Sequence, residues 1–192
     1  MELVEQCRVE LDRCDLFARV PIARTPVKRS PGVHLSGVLR YIAERIGRFE
    51  AIKEIDQERV PILWCLGHMW EEFGVSLYPN VLWQPGEVRH RGVIMSIDGI
   101  DPVAQEIHEW KFTFKKVRTD ARFLDEWYWM SQAKGYECGW DLTRHVFHVL
   151  YVMGDYRGSG PQYWRYRTTT TSDELERTWR MVEAHIQGAI PE

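Results

Sequence analysis

Cysteine is scarce in this sequence, and its spacing does not suit a structural metal. The 192 residues include four cysteines, which are Cys7, Cys14, Cys65 and Cys138, and none of them forms a C-x-x-C pair. No histidine cluster completes a zinc-binding pattern with them. The sequence therefore predicts free thiols in a reducing compartment.

Long hydrophobic runs are also missing. No apolar segment approaches the roughly 18 residues that a membrane-spanning helix needs, and the chain starts with acidic residues instead of a basic and then apolar leader. We therefore expect a cytoplasmic protein that has no membrane partner. Because no glycine-rich loop ends in Gly-Lys-Ser or Gly-Lys-Thr, we also expect no bound nucleotide.

An excess of positive charge is absent as well. Lysine and arginine total 25 against 28 aspartates and glutamates, a net charge of −3, which argues against a protein that coats nucleic acid through its charge. An enzyme that holds nucleic acid in one groove needs only local positive charge. Local basic clusters, each also typical of a solvated surface, contain Arg24, Lys28 and Arg29; Arg89, His90 and Arg91; Lys115, Lys116 and Arg118; and Arg165 and Arg167.

What the sequence does have is the composition of a globular protein, with 44% hydrophobic and 28% charged residues. Its length suits one domain with a substantial core. No repeat, linker or low-complexity tract divides it. We therefore predict one domain over residues 1–192, with an N-terminal extension at 1–33 and a core from about 34 to 190.

Hydrophobic periodicity along this core alternates between that of helices and that of strands. Ser36 stands where the N-cap of a first helix belongs. The patterns then predict a helix at 57–73, strands at 81–83, 87–98 and 105–114, a helix at 120–134 closing at Gly135, strands at 146–153 and 163–168, and a last helix to about 186 that starts with a capping box at Thr171 and Glu174. Expected inward residues of the three most periodic helices are Val38, Leu39, Ile42 and Ile46; Leu63, Leu66, Trp70 and Phe73; and Leu175, Trp179, Val182 and Ile186. The order of elements predicts an α/β fold in which helices flank a central mixed β-sheet.

The tripeptide Glu109-Trp110-Lys111 lies in the third predicted strand. Alternate side chains of a strand share a face, so Glu109 and Lys111 lie together. The opposite face, with His108, Trp110, Phe112 and Phe114, is mostly aromatic and is the expected core face. The sequence therefore predicts a carboxylate and an ammonium held on a rigid element opposite the core.

Asp98 ends the strand before this one, in Ile97-Asp98-Gly99. If the two strands pair, Asp98 and Glu109 approach each other, and two convergent carboxylates suit a hard cation such as Mg²⁺ or Mn²⁺. The Trp110 carbonyl offers a third oxygen, and Lys111 is placed to orient a water and offset charge on a phosphate. The alternative is a surface salt bridge between Glu109 and Lys111, with Asp98 only starting a turn.

The helix before the sheet contributes a second group. Gly67, His68 and Glu71 lie to one side of its apolar stripe, and Gly67 is expected to allow close approach to the sheet. Glu71 or its neighbour Glu72 then reaches the same metal, and His68 ligates it or holds a water. The alternative is an exposed acidic turn beside a core histidine.

The helix after the sheet contains Gln132 and Tyr136, which are four residues apart. Side chains at this spacing share one helical face. An amide and a phenol on that face are suited to hydrogen-bonding a phosphate or the carboxylates of the predicted metal site.

In this order the motifs resemble the RecB-like branch of the PD-(D/E)xK nuclease superfamily, which includes viral and recombination exonucleases. The resemblance covers about residues 34 to 180 and implies a restriction-endonuclease-like core. It implies hydrolysis of phosphodiester bonds in DNA with Mg²⁺ or Mn²⁺. The implied roles are metal ligation by Asp98 and Glu109, ligation or water binding by Glu71, water orientation by Lys111, and substrate positioning by Gln132 and Tyr136.

The sequence departs from the family pattern at two points. His68 directly follows Gly67, where relatives space the two, so metal ligation by His68 is the weakest of the implied roles. Some relatives bind an iron–sulfur cluster through one early and three late cysteines, whereas Cys138 is the one cysteine in the later half here. We therefore expect no iron–sulfur cluster.

Three functions remain open from the sequence. The first is an exonuclease that acts on single- or double-stranded DNA ends in recombination or repair of viral or mobile-element DNA. By analogy with the family, a single-strand annealing protein would be its partner, and the exonuclease itself would form a homo-oligomer. The second is a sequence- or structure-specific endonuclease on the same fold. The third is a non-catalytic binding module, in which nine tryptophans and eight tyrosines offer surfaces for base stacking.

Overall fold

The computed structural model describes residues 29–48, 60–115, 120–152 and 161–188. Secondary structure follows the predicted alternation of helices and strands. The elements are β1 (Val33–His34), α1 (Leu35–Arg45), α2 (Val60–Ser76), β2 (Leu82–Trp83), β3 (Glu87–His90), β4 (Val93–Ser96), β5 (Gly99–Asp101), β6 (Glu106–Thr113), α3 (Asp120–Phe123), α4 (Trp127–Trp140), β7 (Arg144–Tyr151), β8 (Gln162–Thr169) and α5 (Ser172–Ile186).

The central sheet has five strands in the order β2-β5-β6-β7-β8. Strands β6 and β7 run parallel, while the other neighbouring strands in this sheet are antiparallel. A smaller sheet joins β1, β4 and β3. The prediction of an α/β fold with a central mixed sheet is therefore confirmed.

Helices cover both faces of the central sheet. Helices α1, α4 and α5 enclose the largest core cluster together with β4 and Ile107 of β6. On the other face Trp70 of α2 packs with Val81 and with Trp110 of β6. The middle of β6 is consequently buried from two sides.

The predicted strand at 87–98 is wrong as one strand. It is a hairpin of β3 and β4, because Arg91 and Gly92 both have positive φ, 47° and 84°, as a two-residue turn between twisted strands requires. The predicted turn after Asp98 is also wrong. Residues Gly99–Asp101 instead form β5, which pairs with β6.

The predicted helix at 120–134 is two helices, and Gly135 does not end it. Helix α3 stops at Phe123, and α4 continues through Gly135 to Trp140. A Cβ atom on Gly135 would lie 2.4 Å from Cδ2 of Leu35. The glycine is therefore needed for close packing of α4 on α1.

Among the other predicted details, some are confirmed and some are wrong. The capping box of Thr171 and Glu174 is present at the start of α5. Ser36 is not an N-cap, since α1 starts at Leu35 and its N-cap is His34, two residues before Ser36. Three residues expected to face inward, Ile46, Phe73 and Ile186, are about half exposed because each lies beyond or outside the packed stretch of its helix.

Several predictions fall on parts of the chain that the structure does not describe. They include most of the N-terminal extension at 1–33, the first residues of the predicted helix at 57–73, the turn between β7 and β8, and four members of the basic clusters, Arg24, Lys28, Lys116 and Arg118. Among the helices that are described, none is both long and apolar enough to cross a membrane.

A buried pair of titratable side chains lies between helix α4 and strand β7. Glu137 and His145 are both fully buried, and Oε1 of Glu137 lies 3.8 Å from Nδ1 of His145. Burial raises the pKa of Glu137 to about 7 and lowers the pKa of His145 well below its usual value. Both groups are therefore neutral in weakly acidic solution.

Glu137→Gln should remove a pH dependence from the stability of the fold. The folded chain holds the Glu137 proton more tightly than the unfolded chain, so the stability this group contributes is complete below about pH 4.5 and is lost as the pH rises through 7. The loss is about 3 kcal/mol at pH 8. Thermal unfolding should show Glu137→Gln several degrees above the wild type at pH 8. The gap should shrink at pH 5, and the surface variant Glu176→Gln should show no such change. A constant gap at both pH values would contradict the assignment.

Candidate active site

Strand β6 carries Glu109 and Lys111 on the same face, as the alternation of side chains predicts. The expectation that this face lies opposite the core is wrong, because α4 covers it. Glu109 is only 2% exposed, and Ile107 on the same face is fully buried. Phe114, expected in the core, is instead 59% exposed at the end of the strand. The carboxylate therefore lies inside the protein and not on a solvated sheet.

Asp98 lies where the chain passes from β4 to β5. Pairing of β5 with β6 goes no further than Gly99 opposite His108. Beyond that point a side chain takes the place of strand pairing. Oδ2 of Asp98 accepts a hydrogen bond from the backbone N–H of Trp110 at 2.9 Å. This hydrogen bond thus holds Asp98 beside Glu109, at the position where β5 and β6 stop pairing.

The two carboxyl groups are electrostatically unfavourable together. Burial raises the pKa of Asp98 well above its usual value, and the neighbouring Glu109 raises it further. Burial also raises the pKa of Glu109, although Lys111 opposes that shift. The pair therefore holds a proton more tightly than two exposed carboxylates would, and it attracts positive charge.

Lys111 is the cation that this site already contains. Its Nζ donates to Oε2 of Glu109 and, at 3.3 Å, to Oε1 of Gln132. Burial acts to lower the pKa of Lys111, but the carboxylates of Glu109 and Asp98 outweigh burial, so the pKa is raised. Lys111 is therefore charged and oriented towards the acids.

Glu71 reaches the same place from α2. Its side chain is buried, and its Oε1 accepts from Nε1 of Trp83 at 2.9 Å and from Nε2 of Gln84 at 3.2 Å. Its charge contributes to the raised pKa values of Asp98 and Glu109. The structure thus places Glu71 at the site and leaves Glu72 exposed on α2.

His68 and Gly67 are placed differently from what the sequence suggested. The His68 side chain is 73% exposed, with Nδ1 3.4 Å from Oε2 of Glu71, so it is not the core histidine of the alternative reading. A Cβ on Gly67 would meet no described atom within 4 Å, so this glycine does not serve close approach to the sheet. Gly74 does, because a Cβ there would lie 2.1 Å from Nε1 of Trp110.

Gln132 and Tyr136 lie together on α4, facing the acids. Nε2 of Gln132 donates to the Tyr136 hydroxyl at 2.7 Å, and Oε1 of the same amide accepts from Lys111. Burial and then the charges of Glu109 and Asp98 raise the pKa of Tyr136 well above its usual value. All the predicted site residues except His68 and Gly67 are therefore brought to one buried cluster.

Tyr128 is a neighbour of the site that the sequence prediction missed. Burial raises its pKa, and the positive charges of Lys111 and Arg40 oppose that shift. Its hydroxyl donates to the Ser36 carbonyl at 3.2 Å, and Arg29 contacts the Ser36 hydroxyl at 3.5 Å. Tyr128 precedes Gln132 by one helical turn, so the phase of α4 was the signal that places it beside Gln132 and Tyr136.

The donor set of this cluster fits a divalent cation with oxygen ligands. Oε1 of Glu109 is buried and accepts no hydrogen bond from any described residue, whereas Oε2 is paired with Lys111, so one oxygen of this carboxyl group is left for a further partner. Asp98 and Glu71 supply further carboxylates of the kind that Mg²⁺ and Mn²⁺ prefer. Within the described residues, no three acidic, histidine or cysteine side chains already converge closely enough to enclose an ion.

Two solved structures show the same fold. A phage-related exonuclease from Haemophilus somnus 129PT shares 13% sequence identity, with 78% of each chain covered and a TM-score of 0.51. The protein SSO0001 shares 16% identity over 86% of this chain and 80% of its own, with a TM-score of 0.54. No protein-family model matches the sequence, and no curated protein matches it. At these identities the likeness shows the fold alone.

Proposed function

We propose that this protein, whose fold is that of the PD-(D/E)xK nucleases, is a DNA exonuclease that depends on Mg²⁺ or Mn²⁺. The observation that carries the proposal is the placement of Asp98 beside the buried Glu109, where Lys111 donates to Glu109 and the charge of Glu71 acts on both carboxyl groups. Buried carboxylates that repel each other are costly for a fold. A cation bound between the carboxylates would offset this electrostatic cost, and for this reason such a pair is typical of a functional site.

Asp98, Glu109 and Glu71 are the side chains that would hold the metal, with the Trp110 carbonyl as a further oxygen. The bound cation would supply a polarised water and neutralise charge on the phosphate that is attacked. We propose that His68, which is exposed beside Glu71, contacts water or substrate and does not ligate the metal directly.

Lys111 would orient the attacking water and offset the negative charge that develops on the phosphate. Gln132 fixes the direction of the Lys111 ammonium through its amide oxygen, and Tyr136 fixes the Gln132 amide in turn. Arg29 and Arg40, which lie beside Tyr128, supply positive charge for the DNA backbone next to the acids. The arrangement thus combines a metal site, a cation that orients water, and local positive charge for phosphates.

An exonuclease mode is preferred because a structural neighbour from Haemophilus somnus is a phage-related exonuclease, and DNA is the substrate that the family resemblance of the motifs implies. A role in recombination or repair of viral or mobile-element DNA, an annealing protein as partner, and a homo-oligomeric state belong to the same proposal. Each follows from the family resemblance of the motifs.

A cleavage assay with Lys111→Met tests the proposal. Purified protein should degrade end-labelled linear DNA with Mg²⁺ or Mn²⁺ and stop when EDTA is added. Methionine keeps the size of the lysine but removes its charge, so Lys111→Met should be slower by about a hundredfold or more. The matched control is Lys115→Ala, because Lys115 is exposed and pairs with Glu126 away from the acids. That control should change the rate by no more than a fewfold.

Covalently closed DNA separates the three functions. An exonuclease leaves closed circles intact and degrades them only after they are linearised. Cutting of the closed circles would instead identify an endonuclease. No cleavage of any substrate with either metal would show that the protein is a binding module. End labels on each strand, with RNA as a parallel substrate, would give polarity and the preferred nucleic acid.

A further inference from the structure

Helix α2 presents a tryptophan in line with the proposed metal ligand Glu71. Seven residues separate Trp64 from Glu71, which is about 20° less than two full turns of an α-helix. The two side chains therefore leave the helix on the same side. They are about 10.5 Å apart along its axis, at a rise of 1.5 Å per residue.

The line from Trp64 to Glu71 runs from an exposed to a buried part of α2. Glu71 is buried at the site, whereas Trp64 is 69% exposed. Trp70 and Gly74, which pack towards the sheet, lie about 80–120° round the helix from Trp64. Gly67, between Trp64 and Glu71, has no described atom within 4 Å of where a Cβ would be. Among the described residues, the first turns of α2 therefore present an exposed surface that leads to Glu71.

This exposed surface of α2 carries groups that suit a nucleic-acid strand. His68 is exposed between Trp64 and Glu71 and offers a ring nitrogen on this surface. An exposed indole offers a flat apolar face, and stacking of such a face on a nucleic-acid base is tolerant of sequence. A single exposed tryptophan does not by itself indicate a binding site. Trp64 indicates one because it lies on the same line of α2 as Glu71, which leads to the acids.

We propose that Trp64 is a base-stacking residue that holds an unpaired or terminal base about three nucleotides from the scissile phosphate. The inference rests on the proposed nuclease function of the same site and names its substrate class. One strand of B-form DNA rises about 3.4 Å per nucleotide, so a separation of about 10.5 Å along the helix corresponds to about three nucleotides. A base inside a continuous duplex has both faces covered by its neighbours. Trp64 therefore selects strands whose bases have a free face, which are single strands and frayed ends.

Binding without hydrolysis tests this inference. The full-length protein in EDTA is titrated with a labelled single-stranded 12-mer and with a closed duplex, a relaxed covalently closed circle that has neither ends nor loops. Trp64→Ala should weaken binding of the single strand by about 5- to 100-fold and change binding of the closed duplex less than twofold. Trp64→Phe keeps an aromatic face and should retain most of the affinity. Trp164→Ala removes a partly exposed tryptophan on β8 and should bind like the wild type.

A fluorescent adenine analogue locates the stacked base. Placed at successive positions of the 12-mer, its emission should be quenched by the wild type at one or two positions, and the quenching should disappear with Trp64→Ala. Equal binding by wild type and Trp64→Ala, or an equal loss on the single strand and the closed duplex, would overturn the stacking role. These results are independent of cleavage. A protein that stacks the base but cuts nothing would refute the nuclease proposal and leave Trp64 as a binding residue.

Discussion

Asp98→Asn is expected to slow DNA hydrolysis by about a thousandfold or more while the metal-free protein becomes more stable. Asparagine keeps the shape of the side chain and can still accept the hydrogen bond from the Trp110 N–H. It removes one of the three carboxylate charges proposed to bind the cation, and an increase of about 4 kcal/mol in the activation barrier lowers the rate about a thousandfold. The rate is measured on linear DNA under saturating Mg²⁺ and Mn²⁺.

The stability of the same variant gives an independent result. The folded state raises the pKa of Asp98, so ionised Asp98 favours unfolding at neutral and alkaline pH, where the unfolded chain is fully ionised. A neutral asparagine has no such cost. In EDTA at pH 8 the Tm of Asp98→Asn should therefore exceed that of the wild type, whereas the surface variant Asp125→Asn should leave it unchanged. A wild-type rate would remove Asp98 from the chemistry, and a lower Tm would contradict the electrostatic argument.

Gly74→Ala is expected to be the most destabilising single methyl addition in α2. The new Cβ would lie 2.1 Å from the indole ring of Trp110, and that ring is packed against its neighbours on the sheet. Relief requires the helix to move away from β6, at a cost of about 3 kcal/mol from overpacking. The Tm should fall by about 6–12 °C for a protein of this size, as measured by calorimetry.

Gly67→Ala is the matched control seven residues earlier in the same helix. No described atom lies within 4 Å of its new Cβ, so the better helix propensity of alanine should stabilise the fold by about 0.5–1 kcal/mol. The two variants are expected to change the Tm in opposite directions. If both variants stabilise the protein, the close packing of Gly74 in α2 on Trp110 is contradicted.

The site was predictable where local patterns determine it. Alternation along β6 predicts that Glu109 and Lys111 share a face, and helical spacing predicts the same for Gln132 and Tyr136. The order of the motifs predicts that Asp98 and Glu71 join them. These relations depend on one strand or one helix, and the fold then brings the elements together.

Other features depend on contacts between distant segments, which no local pattern contains. Gly67 and Gly74 look alike in the sequence, and only the position of Trp110 distinguishes the glycine that α2 needs. The turn at Arg91 and Gly92 was missed because arginine rarely adopts positive φ. Burial of Glu109 was missed because covering by α4 depends on the packing of a helix that follows it in the chain.

Helix α2 is anchored unevenly, and Glu71 lies where the anchoring changes. From Trp70 onward the helix is fixed by the indole contact to the His148 carbonyl and by the fit of Gly74 on Trp110. In the described residues before it, Trp64 to Met69, the side chains are exposed or half-buried. On the proposed function, the loosely packed turns would contact the substrate, and the anchored turns would keep Glu71 in place beside Asp98 and Glu109.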